Sequence, residues 1–218
     1  MAIDWDFIAQ KGIEGESEHL TGYVPSDTSG FTVGSFDIGQ HSKEDVRRIL
    51  QSYSNKLAGG GSSVGVLRKD LLDKVSPFTE DSSSSLKYGT KEVRDIIAKQ
   101  VSFQEKDIAY LTAAKRYEFE VKTLSKKKGW KDLDEKTQTV LGSFGWQYGT
   151  NKQADGRNRF EELWEDRNDK NALEEKLRSF GKEQPKYKFR RNKEADYLNP
   201  SEETSYMDQW IREDNPLA

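Results

Sequence analysis

Hydrophobic residues recur three or four positions apart along most of this chain, which is the spacing of one buried face of an α-helix. The longest such segment covers residues 104–127. Its apolar and aromatic positions predict a stripe that faces a core, formed by Ile108, Leu111, Ala114, Tyr117, Val121 and Leu124. A shorter segment predicts an amphipathic helix over residues 3–11, which Gly12 ends.

The same spacing predicts further helices in the rest of the sequence. They cover residues 42–57, 63–75, a segment that begins at Thr90, residues 132–148, and residues 158–180 with a break near Asn168. In the helix over residues 63–75 we expect four side chains to face inward: Val64, Leu67, Leu71 and Leu72. Residues 77–89 are polar and predict a surface loop, residues 185–191 are expected to be extended, and a short helix is expected around residues 192–198.

Residues 23–38 follow a different pattern, in which apolar and polar positions alternate between turn signals. This predicts two or three short antiparallel strands, and strands this short must pack on helices to be stable. The predicted fold class is therefore α+β, mostly α. We expect one domain over residues 1–200, with a small β-hairpin lobe at about 20–40, a helical lobe at about 42–200, and a C-terminal tail over residues 201–218.

Composition excludes several classes of function. The chain has 218 residues, a net charge of −3, no cysteine and two histidines, and a mean hydropathy of −0.94. Nucleic-acid binding is not expected, because acidic runs dilute the basic clusters, and metal cages of cysteine or histidine are not expected either. No metal or cofactor is predicted. The N-terminus has neither the basic start nor the apolar stretch of a signal peptide, and no segment is apolar enough to span a membrane.

Three residues in the unusual stretch from Ile13 to Gln40 are candidates for chemistry. Glu14 follows Ile13 at a helix end, Asp37 lies between Phe36 and Ile38, and Thr32 lies in the central strand. A carboxyl beside apolar residues can have a raised pKa, and two carboxyls in different protonation states can cleave a glycosidic bond. The alternatives are a surface charge for Glu14, a cap for Asp37 and a simple strand former for Thr32. Composition and spacing alone therefore do not establish an enzyme.

The segments "GIEG" and "GYVPSDTSGFTVGSFDIGQ" resemble the signature of the pesticin-type muramidases, which are relatives of the phage-type lysozymes. Two later fragments, "FGWQYGT" and "FRRNKEADYL", are also similar to that family. The resemblance implies a lysozyme-like fold and the glycan strands of peptidoglycan as substrate. It makes Glu14 the general acid, and it makes Thr32 and Asp37 the residues that hold the attacking water.

Two departures from the family pattern leave choices open. The hairpin between Thr32 and Asp37 is one residue shorter than expected, so Asp27 remains a reserve second carboxylate. Phage-type enzymes hold an aspartate nine residues after their glutamate, whereas Tyr23 stands there in this chain. We expect four residues to contact substrate, with packing in the core as the alternative for the last three: Tyr23, Trp146, Gln147 and Tyr148.

The resemblance predicts a monomeric lysozyme that hydrolyses the bond between N-acetylmuramic acid and N-acetylglucosamine in the periplasm or cell wall of a target bacterium. Delivery by phage lysis, by toxin uptake or by a secretion system stays open. Whether the chain is an excised catalytic domain stays open too. An immunity protein that blocks the cleft is implied by the resemblance. The alternatives are a non-catalytic peptidoglycan-binding module on the same fold and a helical adaptor.

Overall fold

The computed structural model describes residues 3–8, 20–83, 86, 89–153 and 155–200. The chain forms two compact units. One consists of residues 16–122, and the other combines residues 1–15 with residues 123–218.

A two-residue turn defines the hairpin of the first unit. Strands β1 (Thr32–Val33) and β2 (Phe36–Asp37) are antiparallel. Gly34, at the first turn position, has a φ of +54°, which fits the turn geometry that favours glycine there. The alternation predicted from the sequence is confirmed, because one face of the ribbon is fully buried and consists of Phe31, Val33, Phe36 and Ile38.

Four helices surround this ribbon. They are α2 (Lys43–Leu57), α3 (Lys69–Val75), α4 (Lys91–Ala98) and α5 (Glu105–Phe119), with 3₁₀ turns at Ile38–Gln40 and Ser76–Phe78. The predicted start of α2 is confirmed, since the Ser42 side chain accepts a hydrogen bond from the Asp45 amide. Helix α5 continues as a π-helical segment, Glu120–Leu124. The buried face of the ribbon and the apolar faces of α2, α3 and α5 share one core.

The second unit is helical throughout the part of it that the structure describes. It contains α1 (Trp5–Ile8), α6 (Glu135–Tyr148), α7 (Arg159–Glu165), α8 (Lys170–Glu183) and α9 (Lys188–Leu198), with 3₁₀ turns at Trp130–Asp132 and Pro185–Tyr187. Helices α8 and α9 pack closely. An added Cβ at Gly181 would lie only 3.2 Å from the Arg191 Cβ. The predicted break near Asn168 is confirmed between α7 and α8, where Asp169 caps the new helix.

The predicted helix over residues 63–75 is wrong in its first half. Helix α3 begins only at Lys69, and Val64 is 83% exposed instead of facing inward. Side chains of α2 hold the Gly65 backbone instead: Gln51 Nε2 donates to the Gly65 carbonyl at 2.7 Å, and the Gly65 amide donates to Asn55 Oδ1 at 2.9 Å. These bonds satisfy the peptide groups that a helix would otherwise use.

Two other expectations also need correction. Residues 185–191 are not extended, because Pro185 opens a 3₁₀ turn and α9 already begins at Lys188. Proline suits the first position of a helical turn, where its missing amide hydrogen is not needed. In the long stripe, Leu111, Ala114 and Leu124 are fully buried, whereas Val121 is 40% exposed. The change to π-helical geometry at Glu120 rotates this position out of the stripe.

The α+β, mostly α fold class is confirmed. Within the described residues, every helix is too short or too polar to cross a bilayer.

Candidate active site

Thr32 and Asp37 lie directly opposite each other in the hairpin. Directly opposed residues of an antiparallel pair project their side chains from the same face, with Cβ atoms about 5 Å apart. Gly30 and Gly39 continue this face beyond the strands, and a Cβ at either glycine would lie 2.6 Å from the Cα of the other. The face opposite the core therefore carries one hydroxyl and one carboxyl side by side.

Burial makes Asp37 a weaker acid than an exposed aspartate. Its pKa rises from 3.8 to about 6 because burial disfavours the charged carboxylate, while the positive charge of Lys115 and the Thr32 hydroxyl oppose that rise. Asp37 Oδ1 is buried and has no hydrogen-bond partner among the described residues. The carboxyl can thus accept a proton near neutral pH and retains an acceptor site for another group.

Tyr23 is positioned beside this pair by both its backbone and its side chain. Its amide donates to the Thr32 carbonyl at 3.0 Å, and the Thr32 amide donates back to the Tyr23 carbonyl at 2.9 Å. Its hydroxyl donates to the Gly34 carbonyl at 2.8 Å. Tyr23 therefore forms an isolated antiparallel bridge with Thr32 beside the two-stranded ribbon, and its role in substrate binding stays a prediction.

Helix α5 supports the turn of the hairpin. The Ser35 amide donates to Thr112 Oγ1 at 3.3 Å, and a Cβ at Gly34 would lie only 2.2 Å from the same oxygen. One turn further along α5, the Lys115 ammonium lies 5.6 Å from the centroid of the Phe36 ring. It is also 2.9 Å from His41 Nε2. Sequence reasoning missed Lys115 and His41 as neighbours of the hairpin, because only the packing of α5 brings them together.

An open cavity of about 590 Å³ lies where the chain enters and leaves the hairpin. Asp27 lines it, while the backbone carbonyls of Asp27 and Ser29 accept hydrogen bonds from the buried Arg94 guanidinium at 2.6 and 2.7 Å. Arg94 thus ties the turn before β1 to helix α4. The other lining residues are Thr28, Gly30, Gly39, Gln40, Glu80 and Leu86.

The candidates at the end of α6 belong to the second unit. Trp146 packs edge-on against Trp5, with ring centroids 5.3 Å apart. Gln147 Oε1 accepts a hydrogen bond from Arg191 at 2.7 Å, and the Tyr148 hydroxyl donates to Gln184 Oε1 at 2.8 Å. Gln147 and Tyr148 therefore have partners within the unit, and contact of these three residues with substrate stays a prediction.

The late arginine pair forms a buried network. Arg190 Nε and Arg191 NH2 both donate to Glu194 Oε1, at 3.2 and 2.8 Å. Arg191 also lies over the ring of Phe144, 4.5 Å from its centroid. Desolvation lowers the pKa of Arg191, while the charge of Glu194 opposes that effect. These contacts make the pair part of the core of this unit.

Glu14 lies outside the described residues, so the structure gives no geometry for the predicted general acid. Thr32 and Asp37 are thus the two members of the predicted catalytic set that the structure brings together. In the described part of the chain, no group of three or more histidine and carboxylate side chains could hold a metal ion.

The profile of one protein family, Pesticin, described as "Bacterial toxin homologue of phage lysozyme, C-term", matches residues 2–168. The chain belongs to the Pesticin family. A search of curated protein sequences found no match to the chain.

The Pesticin match covers some of the features predicted from the sequence and not others. It includes Glu14, Tyr23, Thr32, Asp37 and residues 146–148. Helices α8 and α9 fall beyond it, and with them the fragment "FRRNKEADYL". The family membership therefore covers the hairpin and α6, whereas the resemblance of the late arginine helix is a separate observation.

Proposed function

We propose that this Pesticin-family chain is a muramidase that hydrolyses the β-1,4 bond between N-acetylmuramic acid and N-acetylglucosamine in peptidoglycan. The observation that carries the proposal is the direct pairing of Thr32 with Asp37, whose carboxyl is partly buried and has a pKa of about 6. Glycoside hydrolysis needs a pair of carboxyl groups with different protonation states, and Asp37 would be the basic member of that pair.

In the proposed reaction, Glu14 is the general acid. It donates a proton to the glycosidic oxygen as the bond from that oxygen to the anomeric carbon breaks. A water molecule attacks the anomeric carbon from the opposite face of the sugar and gives up a proton to Asp37. The Thr32 hydroxyl can both donate and accept a hydrogen bond, which suits it to orient this water. Direct attack by water inverts the configuration at the anomeric carbon.

Digestion of purified peptidoglycan, followed by mass spectrometry of the released muropeptides, tests this function. We expect muropeptides with a free reducing N-acetylmuramic acid, and one ¹⁸O at its anomeric carbon when the digestion is run in H₂¹⁸O. Anhydro-sugar ends would contradict hydrolysis. Binding to peptidoglycan without release would favour the alternative, a peptidoglycan-binding module.

Three carboxyl-to-amide variants assign the roles. We expect Glu14→Gln and Asp37→Asn to abolish release of fragments while remaining folded. Asp27→Asn is the matched control, because Asp27 is exposed and its backbone, not its side chain, contacts Arg94. Loss of activity in Asp27→Asn with full activity in Asp37→Asn would transfer the role of the base to Asp27.

The family description names a bacterial toxin homologue of phage lysozyme, which supports an antibacterial role for this activity. We propose that the domain acts on the wall of a target bacterium, after phage lysis, toxin uptake or secretion. A protein inhibitor that protects the producing cell would fit this antibacterial role. Purification of the chain from a producing strain, with any protein bound to it, would test for such an inhibitor. Growth of a sensitive strain should stop when the chain is directed to its periplasm, and Glu14→Gln should not affect growth.

A further inference from the structure

Helix α4 buries an arginine and exposes its largest apolar side chains. Its two buried residues are Arg94 and Ala98. By contrast, Val93, Ile96 and Ile97 are 51%, 62% and 39% exposed. These three residues form one stripe, because they follow the i, i+3, i+4 spacing of a single helical face, and a surface helix normally turns such a stripe towards the core. The apolar stripe of α4 instead faces away from its own unit.

Polar contacts fix this orientation of α4. The Arg94 guanidinium donates to the carbonyls of Asp27 and Ser29, at 2.6 and 2.7 Å. The next residue, Asp95, accepts a hydrogen bond from the Val24 amide at 3.0 Å. A rotation of α4 that turned the stripe inward would break all three bonds. The exposed stripe is therefore a fixed feature of this surface, and exposed apolar patches are typical of contact sites.

Opposite charges border the stripe at its two ends. Glu92 and Lys99 are exposed, and together with Ile96 they follow the i, i+4, i+7 spacing of one edge of the helix. Lys99 forms an ion pair with Asp95 at 2.7 Å, yet its side chain is 57% exposed, so a second group can still reach its ammonium. This edge of the stripe thus carries a negative charge near its start and a positive charge near its end.

We propose that the α4 stripe is a contact surface for a second copy of this chain, with the two α4 helices antiparallel. A two-fold axis between the helices makes the contact self-complementary, so that residue i of each copy meets residue j of the other. With the axis next to Ile96, Glu92 of each copy lies opposite Lys99 of the other copy. A parallel arrangement would place like charges together, which opposes association. The order of charges along this edge therefore favours an antiparallel pair of identical chains.

The size of the stripe predicts a weak dimer. Stable specific interfaces bury about 1,200–2,000 Å² in total, which is more than three side chains on one short helix supply. We therefore expect a monomer–dimer equilibrium with a Kd on the order of 0.1 mM. Added salt should weaken the dimer, because salt screens the exposed Glu92–Lys99 pairs. This association does not depend on the muramidase function.

Sedimentation equilibrium of the whole chain, from micromolar to millimolar concentration at low salt, tests this dimer. The wild type should self-associate. Glu92→Lys and Lys99→Glu should each weaken association by about tenfold or more, because like charges then meet across the axis. The double variant, Glu92→Lys with Lys99→Glu, restores opposite charges in the antiparallel arrangement and should restore the wild-type Kd. Lys69→Glu, at an exposed position on α3, matches the charge change of Lys99→Glu and should leave the Kd unaltered.

Disulfide formation between copies tests the position of the axis. The chain has no cysteine, so Ile96→Cys introduces a single thiol, which lies next to its counterpart when the helices are antiparallel. In Glu92→Cys, the control, the two thiols would be about 10 Å apart along the helices, which is too far for a disulfide. Under mild oxidation, Ile96→Cys should form the disulfide between copies, and Glu92→Cys should form little of it.

Three results would overturn this dimer. A wild type that stays monomeric at millimolar concentration would do so, and it would agree with the monomer that the resemblance implies. Association that the charge variants of Glu92 and Lys99 do not change would place the contact elsewhere on the chain. A faster disulfide in Glu92→Cys than in Ile96→Cys would indicate parallel helices. Circular dichroism of each variant establishes first that it is folded, as expected for substitutions at exposed positions.

Discussion

Thr32 and Asp37 pair directly in a hairpin that a two-residue turn closes, and their side chains project from the face of the ribbon that is opposite the core. The neighbouring positions in both strands, Val33 and Phe36, are fully buried on the other face. Because side chains of a strand alternate between faces, a shift of one residue in this pairing would bury the carboxyl and expose two core residues. The core of the unit therefore fixes the register that joins the hydroxyl to the carboxyl.

We predict that Asp37→Asn stabilises the fold at neutral pH while it abolishes activity. The folded-state pKa of about 6 exceeds the ordinary value of 3.8, so the contribution of Asp37 to stability is present below pH 3.8 and is lost as the pH rises through 6. At pH 7.5 the amide should raise the free energy of unfolding by roughly 1–3 kcal/mol, since one pKa unit corresponds to about 1.4 kcal/mol.

Urea denaturation of the wild type and Asp37→Asn at pH 4 and pH 7.5 measures this difference. The gain should nearly vanish at pH 4, where the wild-type carboxyl is protonated. Asp27→Asn, on an exposed turn of the same unit, should change stability by less than about 0.5 kcal/mol at both pH values. Equal stability of wild type and Asp37→Asn at pH 7.5 would contradict the burial argument.

Thr32→Val should separate the contribution of the Thr32 hydroxyl to activity from the contribution of the side-chain shape to the fold. Valine fills the same space in this buried strand position and favours strands, so the fold should persist. Without the hydroxyl, the pKa of Asp37 should rise and the attacking water should lose its orienting partner, which together predict a fall in kcat of about 10²-fold or more. Thr32→Ser retains the hydroxyl and should retain most of the activity in the same peptidoglycan digestion assay.

The hairpin could be predicted from sequence because local rules decide it. The alternation of apolar and polar positions over residues 23–38 predicted two or three short strands, and the structure adds which residues pair around the Gly34-Ser35 turn. The segment before α3 could not be predicted in this way. Val64 and Leu67 continue the helical spacing of Leu71, but the side chains of Gln51 and Asn55 bind the Gly65 backbone groups, and that competition depends on how α2 packs.

The electrostatic environment of Asp37 was equally out of reach. Lys115 and His41 are 74 residues apart, and only the docking of α5 along the hairpin brings them together. Local sequence therefore yields candidates for the reacting groups, whereas the residues that surround those candidates required the tertiary structure.

We predict that Gly39→Ala damages the site through the backbone. A Cβ at Gly39 would lie 2.6 Å from Gly30 Cα, and neither backbone can move without opening the base of the hairpin. The cost should be about 2–4 kcal/mol in the free energy of unfolding, as for other overpacked core positions. Gly60→Ala is the control, because Gly60 has a positive φ but nothing within 4 Å of an added Cβ.

Thermal and urea denaturation of the two glycine variants test this contrast. Gly60→Ala should cost only about 1 kcal/mol, which is the ordinary cost of a left-handed conformation for alanine. Gly39→Ala should also lose peptidoglycan digestion under conditions where it remains folded, since the strand that carries Asp37 has been displaced. A smaller loss of stability in Gly39→Ala than in Gly60→Ala would show that the two backbones can separate easily.

The second unit offers a prediction that concerns stability alone. Glu194 is fully buried and neutralises part of the charge of two buried arginines, Arg190 and Arg191. Removing one partner of a buried ion pair leaves charge without compensation and typically costs about 3–5 kcal/mol. Glu194→Gln keeps the size and one acceptor oxygen, so we expect a loss of about 2–4 kcal/mol in the free energy of unfolding.

Glu174→Gln, in a partly exposed pair with Arg178, is the control and should cost less than about 1 kcal/mol, because exposed ion pairs contribute little. Urea denaturation compares the two variants, and equal losses would show that the buried network contributes no more than a surface pair.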